Sequence, residues 1–126
     1  MSQQVVPALR ITSYERSKKF YVDGLGFQIN WEHRYEPNFP VFMSVSRDCL
    51  EFFLTEHAGD CQPGGLIHLY VPDVDAWHAE LVGRGVPIKA PPSETIKGLR
   101  DMTVMDPDGN AIRICTRLAP RRESLK

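Results

Sequence analysis

Residues 27–35 read FQINWEHRY, a stretch in which apolar, aromatic or imidazole side chains alternate with polar ones at every step. This period-2 pattern predicts a half-buried β-strand over the whole stretch. Toward the C-terminus, two further strands are predicted over residues 41–46 and 49–54, joined by a short turn at Arg47 and Asp48. The stretch therefore begins a three-stranded meander, which predicts an antiparallel sheet with one buried face.

A helix is predicted immediately before this meander. Residues 12–15 (TSYE) have the pattern of a capping box, with the Thr12 hydroxyl at the N-cap and the Glu15 carboxylate three residues later. Apolar residues at helical spacing follow until two glycines within residues 24–26 end the predicted helix. Residues 5–10 suit a short strand, so the first half of the chain is predicted to have the order β-α-β-β-β.

The second half of the chain repeats this order. Its predicted elements are a strand over residues 66–71, a helix that begins after Asp73, a short strand over residues 86–89, a loop over residues 90–98, and a hairpin of strands over residues 101–105 and 111–116. In this repeat the segment CLEFF matches the segment AIRIC, which places Glu51 and Arg113 at matching positions on the face opposite the helix.

The repeat predicts an α+β fold made of two tandem βαβββ modules. Module one covers about residues 5–56 and module two about residues 64–117, within a single domain over residues 1–118. Residues 119–126 are polar and are expected to form a flexible tail.

Charge and cysteine content narrow the possible partners and the location. The 126 residues contain 15 Lys and Arg against 16 Asp and Glu, a net charge of −1, so no basic excess favours nucleic acid or an anionic membrane. No apolar run reaches the roughly 18–20 residues that a membrane span needs. Cys49, Cys61 and Cys115 are odd in number and lack C-x-x-C spacing, which favours reduced thiols. Together with an N-terminus unlike a secretory signal, this predicts a cytoplasmic protein.

Three motifs resemble those of one known superfamily. They are FYVDGLGF at residues 20–27, VPDVD at residues 71–75 followed by Arg84-Gly85-Val86, and DPDGN at residues 106–110. Together they resemble the vicinal oxygen chelate superfamily, which includes glyoxalase I, extradiol dioxygenases, fosfomycin-resistance enzymes and bleomycin-resistance proteins. The resemblance implies that the two modules curl into a cup-shaped mixed sheet with helices on its outer face. It also implies a homodimer.

The resemblance further implies four positions at which the superfamily's enzymes hold a divalent metal. Here they fall at Val6 or Pro7, Glu51, Leu66 and Arg113, and of these only Glu51 can coordinate a metal ion. The sequence is therefore more similar to the metal-free bleomycin-resistance branch, and no metal or other cofactor is expected. In place of a metal, we expect either an internal ion pair between Glu51 and Arg113 or an Arg113 that is free to bind a ligand anion.

The candidate ligand-binding residues lie on the strand faces that the helices leave open, or in the loop beside them. They are Trp31, His33, Phe39, Glu51, Phe53, His68, Tyr70 and Arg113. A dimer seam is the alternative role for the aromatic residues of the second strand, and ordinary hydrogen bonding to neighbours is the alternative for those of the fifth. No catalytic constellation stands at a recognisable spacing.

Three functions follow from this reading. The first is metal-independent binding and sequestration of a small molecule, such as an aromatic compound, an antibiotic or a bleomycin-like drug. The second is a metal-dependent lyase or dioxygenase with a non-standard site formed by His33, Glu51 and His68. The third is a module that acts through its surface within a larger assembly.

Overall fold

Each half of the chain forms one four-stranded mixed sheet in the computed structural model, which describes residues 3–118. Module one contains β1 (Ala8–Arg10), α1 (Tyr14–Lys18) continued by a π-helix (Lys19–Gly24), β2 (Gln28–His33), β3 (Phe42–Arg47) and β4 (Leu50–Thr55). Module two contains β5 (Leu66–Tyr70), α2 (Val74–Gly83), β6 (Ala90–Ile96), β7 (Leu99–Met105) and β8 (Ala111–Arg117). The strand orders are β1-β4-β3-β2 and β5-β8-β7-β6. This confirms the predicted α+β fold of two tandem βαβββ modules.

The strands pair in the same way in the two sheets. The parallel pair β1–β4 sets Leu9 beside Leu54, and the parallel pair β5–β8 sets Leu69 beside Ile114. All four side chains are buried in the same core. The register therefore shows directly which residue of module one corresponds to which residue of module two.

This register corrects one prediction from the sequence repeat. Phe53 precedes Leu54 on β4 and Arg113 precedes Ile114 on β8, so Phe53 is the counterpart of Arg113. Glu51 corresponds instead to Ala111, because both lie three residues before the buried Leu54 and Ile114. The sequence comparison was wrong by one strand repeat of two residues, which leaves the alternation of buried and open side chains unchanged.

The first helix also differs from its predicted form. Ser13, not Thr12, is its N-cap, and the Ser13 Oγ accepts a hydrogen bond from the Arg16 N–H at 3.3 Å. The Thr12 hydroxyl instead donates to the Asp108 carboxylate in module two. After one and a half α-helical turns the helix widens into the π-helix, where the Leu25 N–H donates to the Phe20 carbonyl. A π-helix accommodates one extra residue, so module one is one residue longer than module two between the start of the helix and the positive-φ glycine that follows it, Gly26 or Gly85.

The segment 86–98 folds differently from the prediction. Residues 86–89 form no strand, and Ala90–Ile96 forms β6 although it was expected to be a loop. Pro91 and Pro92 account for the error, because proline lacks the N–H that a central strand must donate. β6 is an edge strand with two register shifts against β7, so it tolerates both prolines.

The core extends without interruption through both modules. Module one contributes Leu9, Ile11, Tyr21, Leu25, Phe27, Val41, Met43, Val45, Phe52 and Leu54, and module two contributes Ile67, Leu69, Val71, Val74, Trp77, Leu81, Val86, Met102, Val104, Ile112 and Ile114. Each sheet thus has one face in this core and one face directed away from it, which we call its open face. No helix within residues 3–118 is long and apolar enough to cross a membrane. The predicted tail over residues 119–126 lies outside the described residues.

Polar side chains also join the two modules. The buried Tyr21 hydroxyl donates to the Asp106 carboxylate at 2.7 Å, and burial together with that carboxylate raises the pKa of Tyr21 well above its ordinary value. Arg47 of β3 forms a two-pronged ion pair with Glu80 of α2, with a shortest N–O distance of 2.7 Å, and its guanidinium covers the Trp77 ring at 3.9 Å. These contacts connect the two modules where their core faces meet.

Candidate functional site

The open face of module one carries three aromatic rings in contact with one another. Trp31 of β2 stacks on Phe42 of β3, with ring centroids 5.9 Å apart and planes inclined by 14°. Phe53 of β4 packs at a tilt against both rings, at 5.6 Å from Trp31 and 5.1 Å from Phe42. We call these three residues the aromatic platform. The Trp31 side chain is 44% exposed, so the platform presents a large apolar surface to solvent.

A β-bulge in β2 puts Trp31 on this face. The pairing of β2 with β3 shifts between Ile29 and Trp31, so Asn30 is the extra residue of the bulge. The strict alternation of the sequence would place Trp31 on the same face as the buried Phe27. The bulge reverses that phase, so Ile29 packs against the core while Trp31 and His33 face outward. Period-2 patterning alone gives no signal for such a reversal.

A cavity of about 410 Å³ adjoins the platform. Its lining residues are Trp31, His33, Tyr35, Phe42, His57 and Asp60. The Tyr35 ring stands edge-on between the His33 and His57 rings, at centroid distances of 4.7 and 6.0 Å. His57 and Asp60 were not predicted, because they come from the loop after β4 and the sequence does not indicate where this loop folds. A hydrogen bond of 2.7 Å from the Thr55 hydroxyl to the Asp60 carboxylate anchors that loop.

Glu51 lies on the same open face and is held by neutral side chains. The Ser44 hydroxyl donates to the Glu51 carboxylate at 2.6 Å, and the Asn30 amide donates to Ser44 Oγ at 2.9 Å. The Ser46 hydroxyl in turn donates to Asn30 Oδ1 at 2.9 Å. The bulge residue Asn30 thus orients the serines of β3, which leaves Glu51 as an acceptor beside the platform.

The open face of module two combines apolar side chains with the cation of Arg113. Its cavity of about 310 Å³ is lined by His68, Tyr70, Ala90, Pro91, Ser93, Thr95, Ile96, Leu99, Asp101, Thr103, Arg113 and Cys115, and we call it the module-two cavity. The register places His68 and Thr103 on either side of Arg113. The Arg117 guanidinium lies over the Tyr70 ring at 4.0 Å, a cation–π contact at the edge of the same face.

Cys115 lies within this cavity but is held in its thiol form. Its Sγ is 3.7 Å from His68 Nδ1, and the residue is 1% exposed. Burial raises the pKa of the Cys115 thiol, and the negative charge of Asp101 raises it further, against smaller opposing effects of Arg113 and Arg117. A buried thiol with a raised pKa is a poor nucleophile at neutral pH. Its proximity to a histidine therefore does not make a cysteine–histidine catalytic pair.

Phe39 does not join the other predicted site residues. It lines a separate cavity of about 440 Å³ together with Tyr14, Arg34 and Glu56. Arg34 Nη1 donates to the Phe39 carbonyl at 2.6 Å, and Glu56 accepts from the backbone N–H groups of Tyr14 and Val41. These contacts hold the loop 36–40 away from the aromatic platform.

The predicted ion pair between Glu51 and Arg113 is not formed. Among the residues that the structure describes, the ion pairs are Arg34–Glu56, Arg47–Glu80, Arg84–Glu80 and Arg100–Asp75. Glu51 and Arg113 belong to the open faces of different modules, and the Glu51 carboxylate is bound by Ser44 instead. The prediction failed because it assumed that the two open faces of one chain meet.

The residues at the implied metal positions do not fit a divalent ion. With the register corrected, these positions are Val6, Phe53, Leu66 and Arg113, and their side chains offer three hydrocarbon groups and one fixed cation. The alternative set of His33, Glu51 and His68 is divided between the two modules. Within residues 3–118, no three His, Cys, Asp or Glu side chains are grouped closely enough to hold a metal ion.

Comparison with known proteins identifies the family to which this fold belongs. A family model described as "Glyoxalase superfamily protein" matches residues 1–120. The chain belongs to the glyoxalase superfamily. A search of curated protein sequences finds no match.

Several solved structures have the same fold as this superfamily member. A member of the glyoxalase/bleomycin resistance protein/dioxygenase superfamily from Sphaerobacter thermophilus DSM 20745 is 26% identical, with 91% of this chain and 98% of that chain covered and a TM-score of 0.70. TnmS3, an antibiotic binding protein from Streptomyces sp. CB03234, is 26% identical, with coverages of 93% and 98% and a TM-score of 0.69. A bleomycin-binding protein complexed with bleomycin is 21% identical, with coverages of 92% and 99% and a TM-score of 0.74, a likeness of fold alone.

Proposed function

We propose that the protein binds and sequesters a small planar aromatic molecule, of the kind found in antibiotics, without a metal ion. The observation that carries this proposal is the exposed aromatic platform of Trp31, Phe42 and Phe53 beside a cavity of about 410 Å³. Three rings in contact, held on a β-sheet, form a rigid apolar surface that a flat ligand covers with little loss of side-chain entropy.

The energetics of the platform support binding by stacking. Covering Trp31 removes apolar surface from water at about 25 cal/mol per Å², and an aromatic pair adds about 0.5–1.5 kcal/mol beyond that burial. Glu51 and His33 lie at the border of the platform and supply hydrogen-bonding groups that select among aromatic ligands. This combination of a large apolar surface with few polar groups is typical of small-molecule sites.

The residues at the superfamily's metal positions support binding of the ligand without a metal ion. Val6, Phe53, Leu66 and Arg113 offer no ligand atoms at the superfamily's metal positions. TnmS3, at 26% identity over nearly the whole chain, is an antibiotic binding protein, and its class of ligand is the one we propose here.

A homodimer would complete this site. The platform covers only one side of a flat ligand, and the module-two cavity of the same chain is a separate cavity. We propose that the open face of module two of a second copy covers the other side of the ligand. Leu66, Tyr70, Ile96 and Met105 on or beside that face are exposed apolar residues that suit such a contact.

Isothermal titration calorimetry with bleomycin and with 2-naphthamide, a neutral planar probe, tests the proposed function. Purified protein treated with a chelator should bind at least one of the two probes, and W31A should weaken that binding about tenfold or more, since the platform loses its largest ring. W77F is the matched control, because Trp77 is 9% exposed and covered by Arg47, away from the platform.

The outcomes of this experiment separate the proposal from its alternatives. Equal affinities of W31A and the wild type would remove the platform from the site. Binding that appears only after a divalent metal is added would favour the metal-dependent lyase or dioxygenase. Absence of binding for both probes would count against an aromatic ligand.

A further inference from the structure

Arg113 differs from the other arginines in the described residues because its guanidinium has no hydrogen-bond, ion-pair or aromatic partner. Seven arginines in the described part of the chain have a side-chain hydrogen bond, an ion pair or an aromatic ring as partner: Arg10, Arg16, Arg34, Arg47, Arg84, Arg100 and Arg117. The Arg113 guanidinium has no such partner within residues 3–118, although the residue is half-buried in the module-two cavity. No Arg113 nitrogen is a fully buried donor without a partner in the described residues, so solvent reaches the guanidinium and a ligand anion can replace that water.

The surroundings of Arg113 favour an anion over a cation. His68 and Thr103 flank it on the neighbouring strands and can donate hydrogen bonds to the same anion. Asp101 is the acidic residue that lines this cavity, and it makes no ion pair within 4 Å in the described structure. Arg117 adds a second positive charge at the edge of the face. The two charged residues that line the cavity, Arg113 and Asp101, cancel formally, and Arg117 beside them makes this face net positive.

We propose that the module-two cavity binds the carboxylate of an aromatic ligand, with Arg113 as its main hydrogen-bond donor. This inference rests on the proposed function and its homodimer, because it assigns the class of ligand, aromatic carboxylates, whose ring the platform of the second copy covers. A guanidinium binds a carboxylate through two parallel N–H···O bonds, which fixes the orientation of the ligand as well as its affinity. Arg113 of module two and the platform residue Phe53 of module one occupy corresponding positions. Both positions therefore lie on open faces, where one supplies a cation and the other an aromatic ring.

Two probes of equal shape test the assignment. The dissociation constants of 2-naphthoate and its neutral counterpart 2-naphthamide are measured by calorimetry for the wild type, R113Q and R16Q. R16Q is the matched control for charge, because Arg16 is exposed and its guanidinium contacts only the Thr12 hydroxyl in the described structure. Thermal melts of the three proteins show whether the variants fold.

The wild type and R16Q should bind 2-naphthoate at least about tenfold more tightly than 2-naphthamide, as a hydrogen bond between two charged groups provides. R113Q should lose this preference while its affinity for 2-naphthamide changes less than about twofold. The preference should also fall when the salt concentration is raised from 0.05 to about 0.5 M.

The possible failures are distinguishable. If wild type binds the two probes equally, or R113Q keeps the preference, the assignment to Arg113 is overturned while aromatic binding at the platform stands. If neither probe binds, both this inference and the proposed function lose their support.

Discussion

The two modules are built on one register but differ in what their open faces present. Positions that face the core are apolar in both modules, as Leu9 and Leu69 or Leu54 and Ile114 show. The corresponding open position holds Phe53 in module one, within the aromatic platform, and Arg113 in module two, within the module-two cavity. Core packing therefore restricts the residue types on only one face of each sheet. The residues of the other face can differ between the modules and take separate chemical roles.

The turns that precede β4 and β8 differ in the same way. In module one the two-residue turn at Asp48 and Cys49 leaves Asp48 exposed, with a left-handed φ of 54°. In module two the turn ends at Asn110, which is fully buried. The Asn110 carboxamide accepts from the N–H groups of Gly64 and Gly65 and donates to the Arg10 carbonyl and to Asp106. One turn is a simple reversal, whereas the other joins β1, β5 and the DPDGN segment.

The largest effect is therefore expected when Asn110 is truncated. N110A leaves the part-buried N–H groups of Gly64 and Gly65 and the Arg10 carbonyl without their partner, and it removes a fully buried side chain, so it should lower the free energy of unfolding by about 2–4 kcal/mol. Urea denaturation followed by circular dichroism measures this change. D48G at the counterpart turn is the control and should alter stability by less than about 0.5 kcal/mol, because glycine adopts a positive φ readily. Similar effects of the two substitutions would show that the turns do not differ in importance.

Exchanging the corresponding residues of the open faces should give the next largest effect. F53R replaces a ring of the platform by a cation beside Trp31 and Phe42, and should weaken 2-naphthamide binding by about 1.5 kcal/mol in calorimetry. R113F should instead abolish the preference for 2-naphthoate and leave 2-naphthamide binding intact. If both substitutions changed the same property, the open faces would not have separate roles.

The sequence was sufficient for the fold because its strongest signals come from the buried faces. The repeated order of elements and the apolar periodicity depend on the core positions, and the structure confirms both. The site depends on features with weak local signals. The bulge at Asn30 reverses the phase of β2, and the π-helix adds a residue that the apolar spacing of the helix does not indicate. In β6 two prolines indicate a loop where the structure has an edge strand. Each changes which residues meet while the hydrophobic pattern stays almost unchanged.

For the open faces, the sequence predicts several of the residues but not how they are grouped. Trp31, His33 and Phe53 were predicted to bind ligand and do lie in or beside one cavity region, and His68, Tyr70 and Arg113 line another. That the two groups are separate in one chain follows from how the modules pack together. This packing depends on contacts between residues far apart in sequence, such as Tyr21 with Asp106, which no local pattern indicates.

The smallest effect is expected at the ion pair that links the modules. Arg47, and then Arg84, hold the pKa of Glu80 below its ordinary value of 4.5, so ionised Glu80 stabilises the folded state above that pH. The stabilisation is lost as the pH falls through the lowered pKa. Because the Glu80 side chain is 34% exposed, solvent screening limits its contribution to about 0.5–1 kcal/mol.

E80Q should accordingly be less stable than the wild type at pH 7 in urea denaturation, and this difference should shrink as the pH falls below about 4. D75N removes the exposed Arg100–Asp75 pair, which lies entirely within module two, and should change stability less at every pH. Glu80 differs from Asp75 because Arg47 holds it from module one, so loss of its charge weakens a contact between modules. A pH-independent difference between E80Q and the wild type would mean that Glu80 acts through packing, and that charge contributes little to the contact between the modules.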